Sequence, residues 1–313
     1  MVIAVSKPAI AVHVGAGRWS REQKVIEEIV ELVRSSLDAG LRAGETGSSL
    51  DMVVQAVKVL EDSGIVNAGV GSTVDLTGSV SMDSGVMYSK TGRAGAVAYV
   101  KYPRNPVVLA RYVLEQTDHV LVVGEAADRL AERLGLPRHP GVSARVRNLY
   151  EDAVRKIRSG EVPQRFYSRS LELWLKLFGI GDTVGAVAVD KDGELAAATS
   201  TGGVFLKMPG RVGDSPIAGA GFYASKCGAA SATGIGEFII LYGLSRKAVD
   251  SLCGSGDPVS VAEEVMRDFT SKYGGDTAGF ILIDREGRAH GVYNTQAMPW
   301  GYATKEFVKV FGF

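Results

Sequence analysis

The sequence has few of the residues that build metal centres or disulfide-rich folds. Its 313 residues include two cysteines and four histidines. Two cysteines cannot form a disulfide framework or a complete zinc site, and the sequence gives no sign of a disulfide. Cys227 lies among small residues, so we interpret it as a small buried hydrophobic residue and not as a nucleophile. The histidines lack metal-ligand spacing and are interpreted as structural: His13, His119, His139 and His290.

An excess of either charge and a long apolar run are also missing. Lys and Arg number 35, as do Asp and Glu, so the formal net charge is zero. This balance argues against a nucleic-acid-binding protein, which usually has a basic excess. No apolar run reaches the ~18 residues of a membrane span, and no basic segment precedes an apolar stretch as in a secretory signal. We therefore expect a cytoplasmic protein that binds neither nucleic acid nor membrane.

Three familiar motifs are absent. The chain has no G-x-x-x-x-G-K-[ST] phosphate loop, no G-x-G-x-x-G fingerprint and no G-x-S-x-G nucleophile elbow. Glycine, by contrast, is abundant, with 39 residues where average usage would give about 22. This excess predicts many tight turns and close backbone approaches.

The first part of the chain alternates apolar strands with amphipathic helices. Residues 10–14 form an apolar run typical of a buried strand, and residues 21 to about 41 and 50–60 have helical apolar spacing. Ser48 followed three residues later by Asp51 resembles a capping box for the second helix. After several further helical patterns, residues 160–181 contain the best linker candidate.

The second part of the chain is richer in strands. Residues 184–190 and 194–200 flank an Asp-Gly turn, a strong signal for a β-hairpin. A helix is predicted near residues 227–244, and a last hairpin joins residues 278–284 to 288–294. Strands in hairpins with helices grouped between them predict an α+β fold, in which antiparallel sheets carry helices on their outer faces.

Polar residues concentrate in four segments that carry the candidate chemistry. Each has an ordinary explanation as a turn or a helix start, but together they place threonines, an arginine and an aspartate at strand ends. Many hydroxyls with no histidine nearby suit a threonine nucleophile that uses its own α-amino group as the base. The segments are 181–187 (GDTVGAV), 199–203 (TSTGG), 209–216 (PGRVGDSP) and 232–237 (ATGIGE).

These segments closely resemble the plant-type asparaginase/isoaspartyl peptidase family of N-terminal nucleophile hydrolases. The resemblance implies a four-layer αββα sandwich, in agreement with the hairpin-rich pattern, and a single domain over residues 1–313. It covers most of the chain: residues 13–17 (HVGAG), 67–71 (NAGVG), 82–83 (MD) and nearly all of 183–224.

The resemblance implies that the chain cuts itself between Asp182 and Thr183. Inside an intact chain the nitrogen of Thr183 is an amide and cannot act as a base, whereas a free α-amino group with a pKa of about 7.7–8.0 can. The cut would leave an α chain, residues 1–182, and a β chain, residues 183–313. Both should stay together because strands from both halves would share one core, and relatives imply a homodimer of such αβ units.

The family's other catalytic roles transfer onto matching positions. Thr201 resembles the second threonine, which hydrogen-bonds the nucleophile Thr183 and orients it. Thr233 and Gly234 match the oxyanion-hole pair, a hydroxyl and a backbone N–H. Asn67 resembles the family's asparagine near the nucleophile.

Substrate binding is assigned to Arg211 and Asp214, together with Thr233 and Gly234. Arg211 should hold an α-carboxylate through its planar fork, and Asp214 an α-ammonium group. Without the resemblance, a surface ion pair between Arg211 and Asp214 would be an equally good reading. The implied activity is hydrolysis of L-asparagine to L-aspartate and ammonia, and of β-aspartyl (isoaspartyl) dipeptides, which are small-molecule substrates.

No cofactor is required by this chemistry, and no metal ligand is expected from side chains. In relatives the loop that corresponds to residues 60–67 holds a structural sodium ion through backbone carbonyls. The candidate carbonyl ligands here are those of Leu60, Glu61, Ser63, Gly64 and Val66.

Two departures from the family stand directly before the cleavage site. Asp182 is preceded by Gly181 and Ile180, where many relatives have a histidine, and it either acts on the cleavage step or is a turn residue. Residues 168–178 are rich in apolar side chains, in a region that is often mobile in relatives. We expect this stretch to fold as a helix over the site.

Two alternative functions stay open. A glycosylasparaginase would cleave the same amide with a sugar attached, and the segment 229–234 also resembles that branch. Such an enzyme is expected to have a signal peptide and disulfides, neither of which is evident. The second alternative is an unprocessed, non-catalytic homologue, against which the intact set of candidate site residues speaks.

Overall fold

The structure is a computed structural model that describes residues 7–159 and 183–313. The predicted linker, Asp182 and the apolar stretch 168–178 lie outside the described residues. The strands in the described part form two sheets and have these bounds: β1 Ala9–His13, β2 Met82–Tyr88, β3 Arg93–Val100, β4 Leu121–Val123, β5 Val184–Val189, β6 Leu195–Thr201, β7 Phe222–Ala224, β8 Gly228–Gly234, β9 Ala278–Asp284, β10 Ala289–Tyr293, β11 Trp300–Thr304 and β12 Val308–Phe311.

Eight α-helices lie in the same part of the chain, with a short 3-10 turn at Gly69–Gly71. None of them is long and apolar enough to cross a membrane. Their bounds are α1 Gln23–Thr46, α2 Ser49–Asp62, α3 Pro106–Gln116, α4 Gly124–Arg133, α5 Ala144–Arg158, α6 Gly236–Tyr242, α7 Leu244–Ser255 and α8 Pro258–Tyr273.

The larger sheet interleaves strands from before and after residues 160–182. Its order is β12-β11-β1-β5-β6-β2-β3-β4, and the smaller sheet has the order β10-β9-β8-β7. All neighbouring strands are antiparallel except β3 and β4, which confirms the predicted antiparallel arrangement. Because β1 pairs with both β5 and β11, the two parts of the chain share one sheet.

Strand β1 shows how the layers are built. Its side chains alternate between the two faces of the sheet, as the period of a strand requires. Ile10 and Val12 belong to the apolar cluster that includes residues of α1, α2 and α3. Ala9 and Ala11 belong to a second cluster, which includes residues of β7, β8 and β9 and fills the space between the sheets. A third cluster joins the outer face of the smaller sheet to α6, α7 and α8.

Several local predictions are confirmed. Ser48 and Asp51 form a reciprocal capping box at the start of α2, and the hairpin of β5 and β6 turns at the predicted Asp-Gly. The helix predicted near residues 227–244 is wrong, because residues 228–234 form β8 and α6 begins only at Gly236. β8 is buried along its whole length and consists of Gly, Ala, Ser and Thr. Tertiary burial, and not the helix propensity of alanine, decides its conformation.

The interpretation of the cysteines is also wrong. Cys227 and Cys253 form a disulfide across 26 residues, with Cα atoms 5.2 Å apart. Cys227 is half-buried just before β8, and Cys253 is exposed near the end of α7. The fold brings the two together because α7 packs on β8. The lack of disulfides therefore no longer argues against the sugar-cleaving alternative.

Candidate functional site

Thr183 lies immediately before β5 and inside the molecule, with 3% of its surface exposed. Its backbone N–H donates to Thr233 Oγ1 over 3.3 Å. Its own Oγ1 lies 3.3 Å from Ser215 Oγ. The predicted nucleophile is therefore surrounded by hydroxyl groups of two other segments.

Thr233 occupies the end of β8 and is fully buried. Its Oγ1 accepts hydrogen bonds from the backbone N–H groups of Ala16 and Thr183, at 3.1 and 3.3 Å. Both lone pairs are thereby used, so the hydroxyl hydrogen is available for an acceptor in the site. Gly234 follows with φ +135°, and a Cβ there would lie 2.3 Å from the Thr277 carbonyl oxygen. Only glycine fits this close approach.

Thr201 lies at the end of β6, beside Thr183. The register of β5 and β6 pairs Val184 with Ser200, so the next position on each strand brings Thr183 and Thr201 to the same end of the sheet. Thr201 is 2% exposed, and its Oγ1 accepts a hydrogen bond from Gly203 N over 2.9 Å.

Asn67 fixes the loop that follows Thr201. Its Nδ2 donates to the Gly203 carbonyl over 2.7 Å, and its backbone carbonyl accepts from Gly202 N over 3.0 Å. Its Oδ1 accepts from Thr73 N over 2.8 Å. The structure thus places Asn67 against the loop of Thr201, as a residue that shapes the backbone.

Arg211 pairs with Glu237, a residue that the sequence analysis did not assign. Arg211 Nε lies 3.0 Å from Glu237 Oε1, and Arg211 Nη2 lies 3.0 Å from Glu237 Oε2. Burial acts to raise the pKa of Glu237, but the Arg211 charge outweighs it and holds that pKa below its usual value. A surface ion pair between Arg211 and Asp214 is not what the structure shows. The sequence feature that could have pointed to Glu237 as a site residue was its place in the polar segment 232–237, three residues after Gly234.

Asp214 has a carboxyl group that is almost without solvent and only partly paired. The residue is 3% exposed, and its Oδ2 has no hydrogen-bond partner among the residues that the structure describes. Burial raises the pKa of this carboxyl to about 7, against the opposing charge of Arg211. A Cβ on Gly236 would lie 2.9 Å from both Arg211 Nη2 and Asp214 Oδ1, so the two charged groups flank that glycine. A buried oxygen without a partner is what a bound cation would satisfy.

A second buried carboxyl supports the site from behind. Glu61, in the last turn of α2, accepts hydrogen bonds at Oε1 from Ser200 Oγ over 2.6 Å and from Val107 N over 3.1 Å. Burial raises its pKa to about 8 in spite of these hydrogen bonds. Because Ser200 stands next to Thr201, Glu61 ties the helical layer to the end of β6.

His13 has a structural place beneath Thr183. It is fully buried, and its Nε2 lies 2.9 Å from Ser231 Oγ, so it joins β1 of one sheet to β8 of the other. Burial lowers its pKa to about 3, against a hydrogen bond with the Thr183 backbone, so the imidazole is neutral. Within residues 7–159 and 183–313, no group of three or more His, Cys, Asp or Glu side chains could hold a metal ion.

The site thus joins a buried threonine to a pair of charged side chains through one short segment. Ser215 Oγ lies 3.3 Å from Thr183 Oγ1, and the adjacent Asp214 lies with Arg211 on either side of Gly236. A hydroxyl nucleophile next to a cation and a carboxylate is suited to hydrolysis of small ligands with a zwitterionic amino-acid head.

Comparison with known proteins agrees with this geometry. A family model described as "Asparaginase" matches residues 6–312, and the chain belongs to that family. It is 46% identical over 296 residues to a protein named plant-type L-asparaginase from Pyrobaculum calidifontis, covering 94% of this chain and 96% of the relative. The Pyrococcus furiosus protein of the same name is 42% identical, with 94% and 95% covered. The isoaspartyl peptidase of Escherichia coli K12 is 38% identical over 308 residues, with 96% and 94% covered.

Proposed function

We propose that this chain hydrolyses L-asparagine to L-aspartate and ammonia, and also β-aspartyl dipeptides, after cutting itself before Thr183. The observation that carries the proposal is the linkage of Thr183 through Ser215 to the pocket of Asp214 and Arg211. The names of the relatives, L-asparaginase and isoaspartyl peptidase, support this substrate class.

Self-cleavage begins with the hydroxyl of Thr183. Its Oγ attacks the carbonyl carbon of Asp182, the C–N bond breaks, and the hydroxyl proton passes to the departing nitrogen. Water then hydrolyses the resulting ester, leaving a carboxylate on Asp182 and a free α-amino group on Thr183. Since strands on both sides of the cut share the larger sheet, the two products stay associated.

Substrate hydrolysis uses the amine that the cut releases. With a pKa of about 7.7–8.0, part of it is neutral near pH 7 and takes the proton of the Thr183 hydroxyl. Oγ attacks the side-chain amide carbon, ammonia or an amino acid leaves with that proton, and water hydrolyses the aspartyl ester. The Thr233 hydroxyl and the Gly234 N–H stabilise the oxyanion, and Thr201 orients Thr183. Oxyanion donors typically contribute about 2.7–4 kcal/mol each.

The charged pocket holds the amino-acid head. Glu237 occupies Nε and one hydrogen of Nη2 of Arg211, which leaves the Nη1 side of the guanidinium for the substrate α-carboxylate. The unpartnered Oδ2 of Asp214 accepts from the α-ammonium group. The charged side chains thereby bind the amino-acid head, and the threonine hydroxyl groups act on the side-chain amide.

The remaining proposals concern architecture. The order of helices, larger sheet, smaller sheet and helices supports the four-layer αββα arrangement of N-terminal nucleophile hydrolases. We propose one domain over residues 1–313 that works as a homodimer of αβ units in the cytoplasm.

We propose that a structural sodium ion binds to part of the loop at residues 60–67. The carbonyl oxygens of Glu61, Gly64 and Val66 lie close to the 3-10 turn: a Cβ on Gly69 would lie 2.5 Å from the first, and one on Gly71 would lie 3.0 and 2.1 Å from the others. The Val66 carbonyl also accepts one hydrogen bond, from Ala68 N over 2.9 Å. Carbonyl oxygens can replace the hydration shell of a monovalent cation. Leu60 fits less well, because its carbonyl already accepts two hydrogen bonds from Ser63. The ion would hold the loop that ends at Asn67.

Ammonia release from L-asparagine tests the proposed function. We expect release by the wild-type protein and none by Thr183→Ala, and release of both amino acids from a β-aspartyl dipeptide. N4-(N-acetylglucosaminyl)-asparagine in a parallel assay separates the sugar-cleaving alternative. Cleavage of that substrate alone, or of none, would contradict the proposal.

A further inference from the structure

We propose that Ser215 is a further catalytic residue, whose hydroxyl orients Thr183 Oγ for attack both in self-cleavage and in hydrolysis. The inference rests on the proposed function and adds a partner to the nucleophile. Ser215 is fully buried, and its Oγ lies 3.3 Å from Thr183 Oγ1. That separation is long for a hydroxyl pair, as catalytic hydrogen bonds often are before substrate binds.

The Ser215 hydroxyl has no competing partner in the described part of the chain. Its only hydrogen bond there is the one to Thr183. A buried hydroxyl is costly unless it is hydrogen-bonded, so the contact with Thr183 satisfies both groups. The contact with Thr183 is therefore the one role that the described residues give this hydroxyl.

The backbone of Ser215 is held on several sides. Its carbonyl accepts from Thr199 Oγ1 over 2.6 Å. The carbonyl of Asp214 accepts from the N–H groups of Ile217 and Gly221, at 2.9 and 3.1 Å. A Cβ on Gly221 would lie 2.7 Å from Ser215 Cα, so this segment is closely packed. The Ser215 hydroxyl is therefore a fixed reference point for the Thr183 side chain.

An intact chain has particular need of such a partner. The Thr183 nitrogen is then an amide whose N–H donates a hydrogen bond to Thr233 Oγ1. Such a nitrogen cannot accept the proton of the Thr183 hydroxyl. With the Thr183 O–H directed to Ser215 Oγ, an oxygen lone pair is left for the carbonyl of residue 182. After the cut the same contact limits rotation of the nucleophile while the α-amine acts as base. Proximity and orientation of this kind lower the barrier without a charge on the orienting group.

The test compares Ser215→Ala with Ser245→Ala. Ser245 is also fully buried, so Ser245→Ala removes a serine hydroxyl away from the site, one that has no hydrogen-bond partner in the described part of the chain. For each protein we would follow conversion of the 33.1 kDa chain into two fragments, and kcat and KM for ammonia release from asparagine. Ser215→Cys, whose slightly larger thiol forms only a weak hydrogen bond, is the third variant.

We expect Ser215→Ala to slow the cut and to lower kcat by about 10–100-fold, with KM within about twofold and Tm within about 4 °C of wild type, the range expected for loss of one buried hydrogen bond. Ser215→Cys should lie between alanine and wild type. Wild-type kinetics in Ser215→Ala, with an active wild type and an active Ser245→Ala, would overturn the role of Ser215 alone. A fall in Tm and a rise in KM that account for the whole loss would assign Ser215 to structure only. A wild type that neither cuts nor releases ammonia would overturn the proposed function and this inference with it.

Discussion

The two walls of the candidate site use different chemistry. One wall carries full charges, with Arg211 and Asp214 on either side of Gly236 and Glu237 bound to the guanidinium. The other wall is made of neutral hydroxyls, with Thr183 in contact with Thr233 and Ser215.

The difference indicates a division of labour. Charges recognise a zwitterionic head strongly and with fixed orientation. Charges next to Thr183 would instead act on the pKa of the α-amine that we propose as the base. Neutral hydroxyls orient atoms and stabilise an oxyanion without that effect. Changes on the hydroxyl wall should therefore lower kcat, and changes on the charged wall should raise KM.

The largest effect is expected from Thr233→Val, which removes the hydroxyl and keeps the shape. We predict a fall in kcat of about 10²–10³-fold, because one oxyanion donor contributes about 2.7–4 kcal/mol. KM should change little, and steady-state kinetics of ammonia release would measure both. Thr233→Ser, which keeps the hydroxyl, is the control and should stay within about tenfold of wild type. A valine variant with wild-type kcat would remove Thr233 from the mechanism.

Arg211→Lys should have the next largest effect, on the other wall. Lysine keeps the charge but loses the fork that pairs with Glu237 and, in the proposed mechanism, with the substrate carboxylate, so KM should rise about 10–100-fold while kcat changes less. Arg246→Lys is the matched control, because Arg246 forms an exposed ion pair with Asp250. If kcat fell and KM held, the division between the walls would be wrong.

The pH dependence should separate the walls in wild-type protein. Burial raises the pKa of Asp214 to about 7, and only its ionised form can bind the α-ammonium group. As pH falls below about 7, kcat/KM should therefore decline by about tenfold per unit through Asp214, with a further contribution from protonation of the Thr183 amine. Asp214→Asn should have low activity, and its kcat/KM should fall less steeply as pH decreases below about 7. If kcat/KM of Asp214→Asn fell as steeply with pH as that of wild type, the pH dependence would belong to a group other than Asp214.

The smallest effect concerns stability. Burial raises the pKa of Glu61 from 4.5 to about 8, so the folded protein holds a proton that the unfolded chain releases. Stability should accordingly fall as pH rises from about 4.5 to 8. Glu61→Gln should be more stable than wild type at pH 8 by about 2 °C or more in Tm and should show less change with pH. Glu125→Gln, at an exposed position, is the control. Parallel Tm curves for wild type and Glu61→Gln would contradict this account.

Sequence motifs predicted the parts of the site that are local. Thr183, Thr201 and Thr233 stand at strand ends within short segments, and the structure brings them to one end of the two sheets. Glu237 could not be assigned in this way, because its contact with Arg211 spans 26 residues and depends on where α6 begins. Ser215 was inside a recognised segment, but its contact with Thr183 depends on the packing of that segment.

The errors in the fold have the same origin. Residues 228–234 are small and have no clear hydrophobic period, so only their burial between helices and sheet makes them a strand. The disulfide of Cys227 and Cys253 joins residues that are apart in sequence and meet through the packing of α7 on β8. By contrast, hairpins and the capping box of α2 depend on neighbouring residues and were predicted correctly.

The mass of the purified, denatured protein tests the central claim most directly. Partition of 33.1 kDa by residue number predicts fragments of about 19 and 14 kDa, the smaller beginning at Thr183, and an uncut chain in Thr183→Ala. A single 33.1 kDa species that persists on long incubation would contradict a self-activating threonine hydrolase.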